Sequence, residues 1–423
     1  MTVKYEIVGK RAIRVDGRSK VTGQATYPED LQMEGMCYGR TLRSEKPHAY
    51  FTLNTEKAEA IEGVLCILTS KDVPHNHHGV LLKDHEVFCA HKVRRVGDPM
   101  AFVVAENEKV AEQAMEAIEV SYEELQGVFD PEEAMADSAP QVHDKSNVIY
   151  HYKIRRGDIQ EAFKQCHVVV EGEYRTDMVD HAFLQPESGI AYTEEDGTIV
   201  ICVANQYPHF DQLEVAEALE VELDTIRIIN PAVGGAFGGR EDITLQIHLA
   251  LATQRVGRPV KATYSREESF DAHSKRHGMK MKYRTGADQQ GKLLAMEATV
   301  IGDTGAYASW AINVARKAGV HATGPYEIPN VKVDSYAVYT NNPFAGAMRG
   351  FGAAQTPIAH EQQIDEIGVK LGIDPITMRV INGFKTGSET ATGQILEESA
   401  PFEECLRAVE EALRSYQGPG EGQ

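Results

Sequence analysis

Residues 99–125 decide the fold class, because the sequence PMAFVVAENEKVAEQAMEAIEVSYEEL changes its hydrophobic period twice. Residues 100–105 form a continuous apolar run. Residues 110–118 then place apolar side chains at helical spacing, and residues 120–125 return to alternation. The stretch therefore predicts a strand, a helix and a second strand.

The rest of the chain repeats these signals in a less regular order. Residues 168–184 and 188–205 are typical of strands, and the second run turns back at Asp196-Gly197. Helical patterns are predicted at residues 210–220, 242–256, 355–371 and 375–385, the last with Asp374 as N-cap and Pro375 at the first helical position. Because strands and helices do not alternate strictly, we expect an α+β fold and not a doubly wound parallel sheet.

A polar segment rich in Asp, Glu, Pro and Ser, residues 129–147, lacks periodicity and predicts a linker. We accordingly expect one domain over residues 1–130, a linker over residues 131–147 and a second domain over residues 148–423. The Gly/Pro tail at residues 417–423 is typical of a frayed end.

Composition excludes several classes of protein. The chain has 43 Lys plus Arg against 63 Asp plus Glu, a net charge of -20, which disfavours general binding to nucleic acids or anionic membranes. The sequence has no long apolar run and no signal-like start, so we expect a cytoplasmic location. The six cysteines are scattered, without iron–sulfur spacing, and we expect reduced, mostly buried thiols.

Two glycine-rich loops are the strongest candidates for chemistry. The first, VGGAFGGRE at residues 233–241, follows a strand-like run and precedes a predicted helix, so its N–H groups suit an anionic or polar cofactor. It matches neither a dinucleotide fingerprint nor a P-loop. The second, AMRGFGAAQ at residues 347–355, places a cation beside an aromatic ring, although a helix entry with a paired Arg349 and a core Phe351 is an alternative.

Histidines give weaker signals. The cluster His75-Asn76-His77-His78 follows Pro74 in a polar turn without ligand spacing, and we expect a solvated loop there and no metal ligand in this chain. His181 lies in a strand-like segment, where a hydrogen-bonded structural histidine is the simpler interpretation.

Several motifs together resemble the molybdenum-binding subunits of the xanthine dehydrogenase and aldehyde oxidase family. They are RVDGR at residues 14–18, KVTGQATY at 20–27, Asp30, GDPMAFVVA at 97–105, Tyr122-Glu123 and the two glycine loops. The resemblance runs over nearly the whole chain in the family's order. It implies an α/β hammerhead domain followed by the first half of a molybdopterin-binding domain. Gln185 is a departure, because the family often has a glutamate there, and this puts a carboxylate role in doubt.

The resemblance also assigns roles to residues of this chain. It implies that Gln206, Phe237, Gly238 and Arg349 bind the cofactor, and that Glu241, Arg316 and Phe351 bind the substrate. Arg316 precedes YEIPN at residues 326–330 at the spacing seen in purine-oxidising members. A structural ion pair between Arg316 and Glu241, with Phe351 as packing, is an open alternative. No side chain of this chain is expected to be a metal ligand or the catalytic base.

The family's large subunit usually continues into a second molybdopterin-binding half, whereas this sequence stops at Gln423. The resemblance therefore implies a partner chain that carries the catalytic glutamate. It also implies separate [2Fe-2S] and FAD subunits that pass electrons to NADP. The implied cofactor is molybdenum with molybdopterin, in the cytosine dinucleotide form, with a sulfido or selenido ligand.

The resemblance implies hydroxylation of an N-heteroaromatic substrate with water, with nicotinate giving 6-hydroxynicotinate. Arginine pairs well with a carboxylate, which favours this substrate. The alternatives are a xanthine or other purine dehydrogenase subunit, and a noncatalytic pterin-binding scaffold subunit.

Overall fold

The computed structural model describes residues 5–416 and has a mixed α+β architecture, which confirms the predicted fold class. Its strands are β1 (Cys37–Arg43), β2 (Ala49–Asn54), β3 (Val64–Leu68), β4 (His77–His78), β5 (His85–Glu86), β6 (Lys92–Val93), β7 (Pro99–Ala105), β8 (Glu119–Glu124), β9 (Val148–Arg156), β10 (Val168–Thr176), β11 (Ser188–Thr193), β12 (Ile199–Val203), β13 (Ile226–Ile229), β14 (Val260–Thr263), β15 (Gly278–Ala287), β16 (Leu293–Gly305) and β17 (Asn330–Tyr339).

The helices vary in length from one turn to four. They are α1 (Gly17–Val21), α2 (Glu56–Glu59), α3 (Glu108–Ala117), α4 (Ile159–Gln165), α5 (Pro208–Leu219), α6 (Gln246–Val256), α7 (Arg266–Ala272), α8 (Ala311–Val320), α9 (Pro357–Leu371), α10 (Pro375–Asn382) and α11 (Phe402–Ser415). Within the described residues, no helix is both long enough and apolar enough to cross a membrane.

Two large sheets organise these elements. The first has seven strands in the order β13-β12-β11-β14-β1-β7-β3, so it takes strands from both sides of residues 131–147. The second has five strands in the order β10-β15-β16-β17-β9, all from the region after the predicted linker. The N-terminal region also has a three-stranded sheet, β6-β2-β8, and a two-stranded sheet, β4-β5. The domain division at residues 131–147 stays a prediction.

Each large sheet contributes to a large hydrophobic core. In the first, α6 packs against β12 and β14, α5 packs against β13 and α6, and Val203, Val215 and Leu249 are buried. In the second, the sheet packs against α8 and α9, and Val300, Val314 and Ile364 are buried. Burial of such apolar side chains is the main stabilising contribution in a chain of this size.

The predicted strand, helix and strand over residues 99–125 are confirmed as β7, α3 and β8. The helix begins where the Asn107 side chain accepts a hydrogen bond from the N–H of Val110, at 3.0 Å. The predicted helices α5, α9 and α10 are also confirmed, and Asp374 caps α10 by accepting from the N–H groups of Ile376 and Thr377. The predicted turn at Asp196-Gly197 joins β11 and β12.

Three local predictions are wrong. The strand predicted over residues 168–184 ends at Thr176, because Asp180 turns the chain by accepting from the N–H of Ala182 at 2.7 Å. The helix predicted from residue 242 begins only at Gln246. The His75–His78 segment is not a solvated loop throughout, since the His78 ring packs 5.1 Å from that of His85, and burial lowers its pKa to about 3.

All six cysteines are free thiols, and three of the six are buried, fewer than predicted. Cys37, Cys89 and Cys202 are buried, whereas Cys405 is exposed. The frayed end predicted at residues 417–423 lies outside the described residues.

Candidate functional site

One cleft of about 530 Å³ is lined by all seven residues to which the sequence analysis assigned a binding role. These residues are Gln206, Phe237, Gly238, Glu241, Arg316, Arg349 and Phe351. They come from the end of β12, the two glycine loops and α8, so distant parts of the sequence converge on one place. Their individual roles stay predictions.

The two glycine loops form one wall of the cleft and are held together by backbone hydrogen bonds. The N–H of Arg349 donates to the carbonyl of Phe237, at 2.8 Å. Gly238 has a φ of +105°, and a Cβ at this position would lie 2.5 Å from the carbonyl oxygen of Ala347. The close approach of the two backbones therefore requires glycine at this position.

Gln206 links the first loop to the end of β12. Its side-chain Oε1 accepts from the N–H of Gly238 at 2.8 Å, and its own N–H donates to the carbonyl of Arg240 at 3.0 Å. Because Oε1 is engaged by the loop, the Nε2 amide of this exposed side chain is left as a hydrogen-bond donor in the cleft.

Arg240 supports the first loop from below and does not line the cleft. It is 3% exposed, forms an ion pair with the buried Glu187, and lies 4.2 Å from the centroid of the Phe183 ring. Glu187 also accepts from the hydroxyl of Thr244 at 2.9 Å. Burial favours the neutral form of Glu187, but Arg240 and His273 outweigh it and lower the pKa of this carboxyl.

Gln185 and His181 also support the loops. The Gln185 Oε1 accepts from the N–H of Gly234 at 2.6 Å, beneath the first loop. His181 is buried with Nε2 2.7 Å from the carbonyl oxygen of Ala347, in an irregular segment and not in a strand. Both side chains therefore contact loop backbone, and neither lines the cleft.

Glu241 is half-buried in the cleft and has an altered acidity. Burial, together with the neighbouring Asp242 carboxyl, raises its pKa to about 7. Asp242 itself accepts from the hydroxyl of Ser309 at 2.6 Å, and burial raises its pKa to about 6. Perturbed carboxyl groups in a cleft are typical of functional sites.

The opposite wall is formed by α8 and contains residues that the sequence analysis missed. Trp310, the N-cap of α8, lies 6.0 Å from the Phe351 ring and 6.1 Å from the Tyr207 ring, measured between centroids. The Lys317 Nζ lies 5.4 Å from the Phe351 centroid. Trp310, Asn313 and Lys317 have helical spacing, but sequence alone gave no reason to place this face beside the glycine loops.

The alternative of a structural Arg316–Glu241 ion pair is not seen in residues 5–416, where Arg316 is exposed and makes no contact with a carboxylate at ion-pair distance. The packing part of that alternative is present, because Phe351 is half-buried against Trp310. Phe351 thus has one face in the protein interior and also lines the cleft.

A larger groove, of about 750 Å³, lies elsewhere and contains none of the predicted site residues. It is lined by oppositely charged side chains such as Asp130, Asp180, Lys275 and Lys280, several of which already pair with one another. Across residues 5–416, no group of three or more His, Cys, Asp or Glu side chains is arranged to hold a metal ion.

Two family descriptions match the chain. Residues 22–126 match the a/b hammerhead domain of aldehyde oxidase and xanthine dehydrogenase, and residues 142–383 match the molybdopterin cofactor-binding domain. The chain is 41% identical to the nicotinate dehydrogenase large molybdopterin subunit of Eubacterium barkeri, over 98% of both chains. It is 40% identical to a subunit of a probable xanthine dehydrogenase of Bacillus subtilis, over 87% of this chain and 50% of the relative.

Solved structures give the same result. The aldehyde oxidoreductase of Desulfovibrio gigas superposes with a TM-score of 0.91 at 28% identity, over 95% of this chain and 46% of the other. Quinoline 2-oxidoreductase of Pseudomonas putida superposes with a TM-score of 0.90 at 27% identity, over 96% of this chain and 54% of the other. The chain thus spans about half the length of these structures and of the xanthine dehydrogenase relative, and nearly all of the nicotinate dehydrogenase relative.

Proposed function

Since the chain belongs to the aldehyde oxidase and xanthine dehydrogenase family of molybdopterin-binding oxidoreductases, we propose that it is the molybdopterin subunit of a hydroxylase for N-heteroaromatic carboxylates, with nicotinate as substrate and 6-hydroxynicotinate as product. The observation that carries this proposal is the cleft itself. It combines an aromatic ring, Phe351, with an exposed cation, Arg316, and a half-buried carboxyl, Glu241.

The substrate side of the cleft can orient a planar anion. Phe351 is held by Trp310 and can stack on a heteroaromatic ring. The Arg316 guanidinium is free to bind the ring's carboxylate in a bidentate manner. Below pH 7 Glu241 is largely protonated, so that it can donate a hydrogen bond to the substrate.

The other side of the cleft fits an anionic pterin cofactor. Gln206 presents an amide donor, the buried Gly238 lines the cleft without a side chain, and the Arg349 guanidinium is exposed. Molybdopterin, when bound, supplies the molybdenum centre that exchanges an oxygen atom and two electrons with the substrate. Gln206 would donate to an oxygen of that centre, and Arg349 would anchor an anionic part of the cofactor. The cytosine dinucleotide form and a sulfido or selenido ligand are part of the proposal.

The proposal includes partner chains. Relatives of similar identity differ in length, since the match covers 98% of one and only 50% of another. A second molybdopterin subunit would contribute the catalytic base, and [2Fe-2S] and FAD subunits would carry electrons to NADP. The proposal also places the protein in the cytoplasm.

A purine dehydrogenase is the second candidate, and the 40% identity to a probable xanthine dehydrogenase favours it. The test is to purify the native complex, measure its molybdenum and selenium content, and assay nicotinate, xanthine and an aldehyde. Hydroxylation of nicotinate in preference to xanthine would support the proposal, whereas the reverse preference would replace it with the purine reaction.

A separate assay tests the dependence on partners and the scaffold alternative. The purified 423-residue chain should not hydroxylate any of the three substrates with an artificial electron acceptor, because the base is assigned to a partner. Turnover by the chain alone would contradict the divided site. The scaffold role would be favoured by a different result. The native complex would turn over, and substitutions of Gln206 and Arg349 would change neither its cofactor content nor its rate.

A further inference from the structure

One face of α8 lines the cleft with residues that the sequence analysis did not predict as site residues. Trp310, Asn313 and Lys317 follow one another at intervals of three and four residues, which places them on the same side of the helix. All three line the cleft. Trp310 and Lys317 also contact the Phe351 ring, at 6.0 Å between centroids and at 5.4 Å from Nζ. Two rings and an ammonium group therefore lie side by side.

The cations of this wall are unusual for so acidic a chain. Arg316 and Lys317 are both exposed, and in residues 5–416 neither lies within ion-pair distance of a carboxylate. The whole chain has a net charge of -20. Unpaired neighbouring cations in a cleft create a local positive potential that attracts anions and disfavours cations.

We propose that Trp310 and Lys317 determine substrate specificity in this cleft, Trp310 as a second aromatic wall beside Phe351 and Lys317 as a second cation beside Arg316. The chemical class that fits is an aromatic ring with one carboxylate. This inference rests on the proposed function, because it names residues that select the substrate of the same site.

The position of Lys317 favours a substrate carboxylate over a phosphate of the cofactor. Its ammonium group lies over the Phe351 ring, 5.4 Å from the centroid, so an anion that pairs with it would be carried by a ring bound close to Phe351 in the cleft. Arg349, by contrast, lies in the second loop and donates its backbone N–H to Phe237, next to Gly238 and Gln206, on the side that fits the cofactor. The Asn313 amide offers a further hydrogen bond to the ring or its carboxylate.

The experiment uses Trp310 as a probe, because it is the single tryptophan of the chain. Tryptophan emission of the purified 423-residue chain is titrated with nicotinate, with nicotinamide, which has the same ring without the charge, and with inorganic phosphate. We expect a saturable change with nicotinate that is much weaker with nicotinamide and absent with phosphate at the same concentrations.

Variants identify the residue responsible. Lys317→Met should weaken nicotinate binding roughly 5- to 30-fold and nicotinamide binding by less than about twofold, as expected for loss of one partly solvated charge-assisted contact. Lys317→Arg keeps the charge and should restore most of the affinity. Lys109→Met, which removes an exposed lysine of α3 outside the cleft, should have no effect.

Any of three results would overturn the inference. The tryptophan emission could respond to no ligand, or Lys317→Met could lose the same factor of affinity for nicotinate and for nicotinamide. In the third, phosphate would displace nicotinate. Phosphate displacement would assign Lys317 to the cofactor. Failure of the proposed function gives a different result: nicotinate binds to the chain in the charge-dependent manner, but the native complex hydroxylates xanthine and not nicotinate.

Discussion

The two glycine loops combine an arginine with a phenylalanine in opposite ways. In the first loop, residues 233–241, Arg240 is buried and Phe237 is 51% exposed. In the second, residues 347–355, Arg349 is exposed and Phe351 is half-buried against Trp310. Both phenylalanines have a positive φ, +55° and +50°, which is strained for a residue with a side chain.

The difference follows from what lies beneath each loop. Arg240 has a fixed set of acceptors, namely the Glu187 carboxylate and the carbonyl oxygens of Gly235 at 3.1 Å and Gln185 at 3.2 Å. Arg349 is joined to its surroundings by its backbone, and its guanidinium contacts no carboxylate at ion-pair distance within residues 5–416. Similar loop compositions thus give one cation that holds the structure and one that is free for a ligand.

The largest expected effect is a loss of stability, and it tests whether Arg240 holds the structure together while Arg349 does not. Arg240→Met leaves Glu187 buried without its cation, which should lower the free energy of unfolding by about 3–5 kcal/mol. Arg349→Met is the matched control and should change it by less than about 0.5 kcal/mol, because the residue is exposed. Urea unfolding of the two variants measures both values. Equal losses would show that Arg349 is also a structural residue.

The next effect concerns the close approach of the two loops. Gly238→Ala should destabilise the chain by about 2–3 kcal/mol, since its Cβ would meet the backbone of Ala347 and the φ of +105° disfavours any side chain. Gly257→Ala is the control, because its φ is +65° and its Cβ would meet no atom within 4 Å, so the cost should be about 1 kcal/mol. A Gly238 variant as stable as the Gly257 variant would contradict the packing argument.

Local signals in the sequence identified much of the fold. The change of period over residues 99–125 identified β7, α3 and β8, because each element presents one apolar face at its own spacing. The sequence could not reveal that Thr176 ends β10, since that end depends on turn hydrogen bonds at Asp180. Nor could it reveal that the seven-stranded sheet joins strands from both sides of residues 131–147, because strand pairing over such distances leaves no local pattern.

The site residues were predicted from motifs, and the cleft residues that the sequence analysis missed belong to no motif. Gln206 and the two loops stand out through family resemblance and glycine content, and the cleft brings them together. Trp310 and Lys317 belong to an ordinary amphipathic helix, and only its packing against Phe351 places them in the cleft. The structural role of Arg240 was equally hidden, because its burial beside Glu187 joins residues that are distant in the sequence.

A moderate effect tests the ligand-binding half of the comparison. In the native complex, Arg316→Met should reduce kcat/KM for an anionic substrate roughly 10- to 150-fold, the cost of one charge-assisted hydrogen bond, and should affect a neutral analogue much less. Phe351→Ala should impair both substrates, because stacking does not depend on the carboxylate and contributes about 0.5–1.5 kcal/mol beyond burial. Steady-state kinetics with nicotinate and nicotinamide measure these changes. Equal losses for both substrates in the Arg316 variant, with molybdenum still bound, would make Arg316 structural.

The smallest effect concerns Glu241, whose pKa is raised to about 7 by burial and by Asp242. A carboxyl group with a raised pKa contributes stability below its unfolded pKa of 4.5, and that contribution is lost as the pH rises through about 7. Glu241→Gln should therefore show a smaller loss of stability than the unmodified chain between pH 5 and pH 8, which urea unfolding at each pH can measure.

The same ionisation should weaken binding of an anionic substrate. As the pH rises through about 7, Glu241 becomes negative in the cleft that Arg316 also lines and repels a carboxylate, so KM for nicotinate should rise about 2- to 5-fold, the effect of one partly screened charge. KM for nicotinamide should stay level, because the neutral ring does not feel the charge. Glu241→Gln should lower turnover, retain molybdenum and abolish the pH dependence of the nicotinate KM. Loss of molybdenum from this variant would instead assign Glu241 to the structure of the first loop, as a counterpart of Arg240. If the pH dependence of the nicotinate KM survived the substitution, the titrating group would lie on a partner chain.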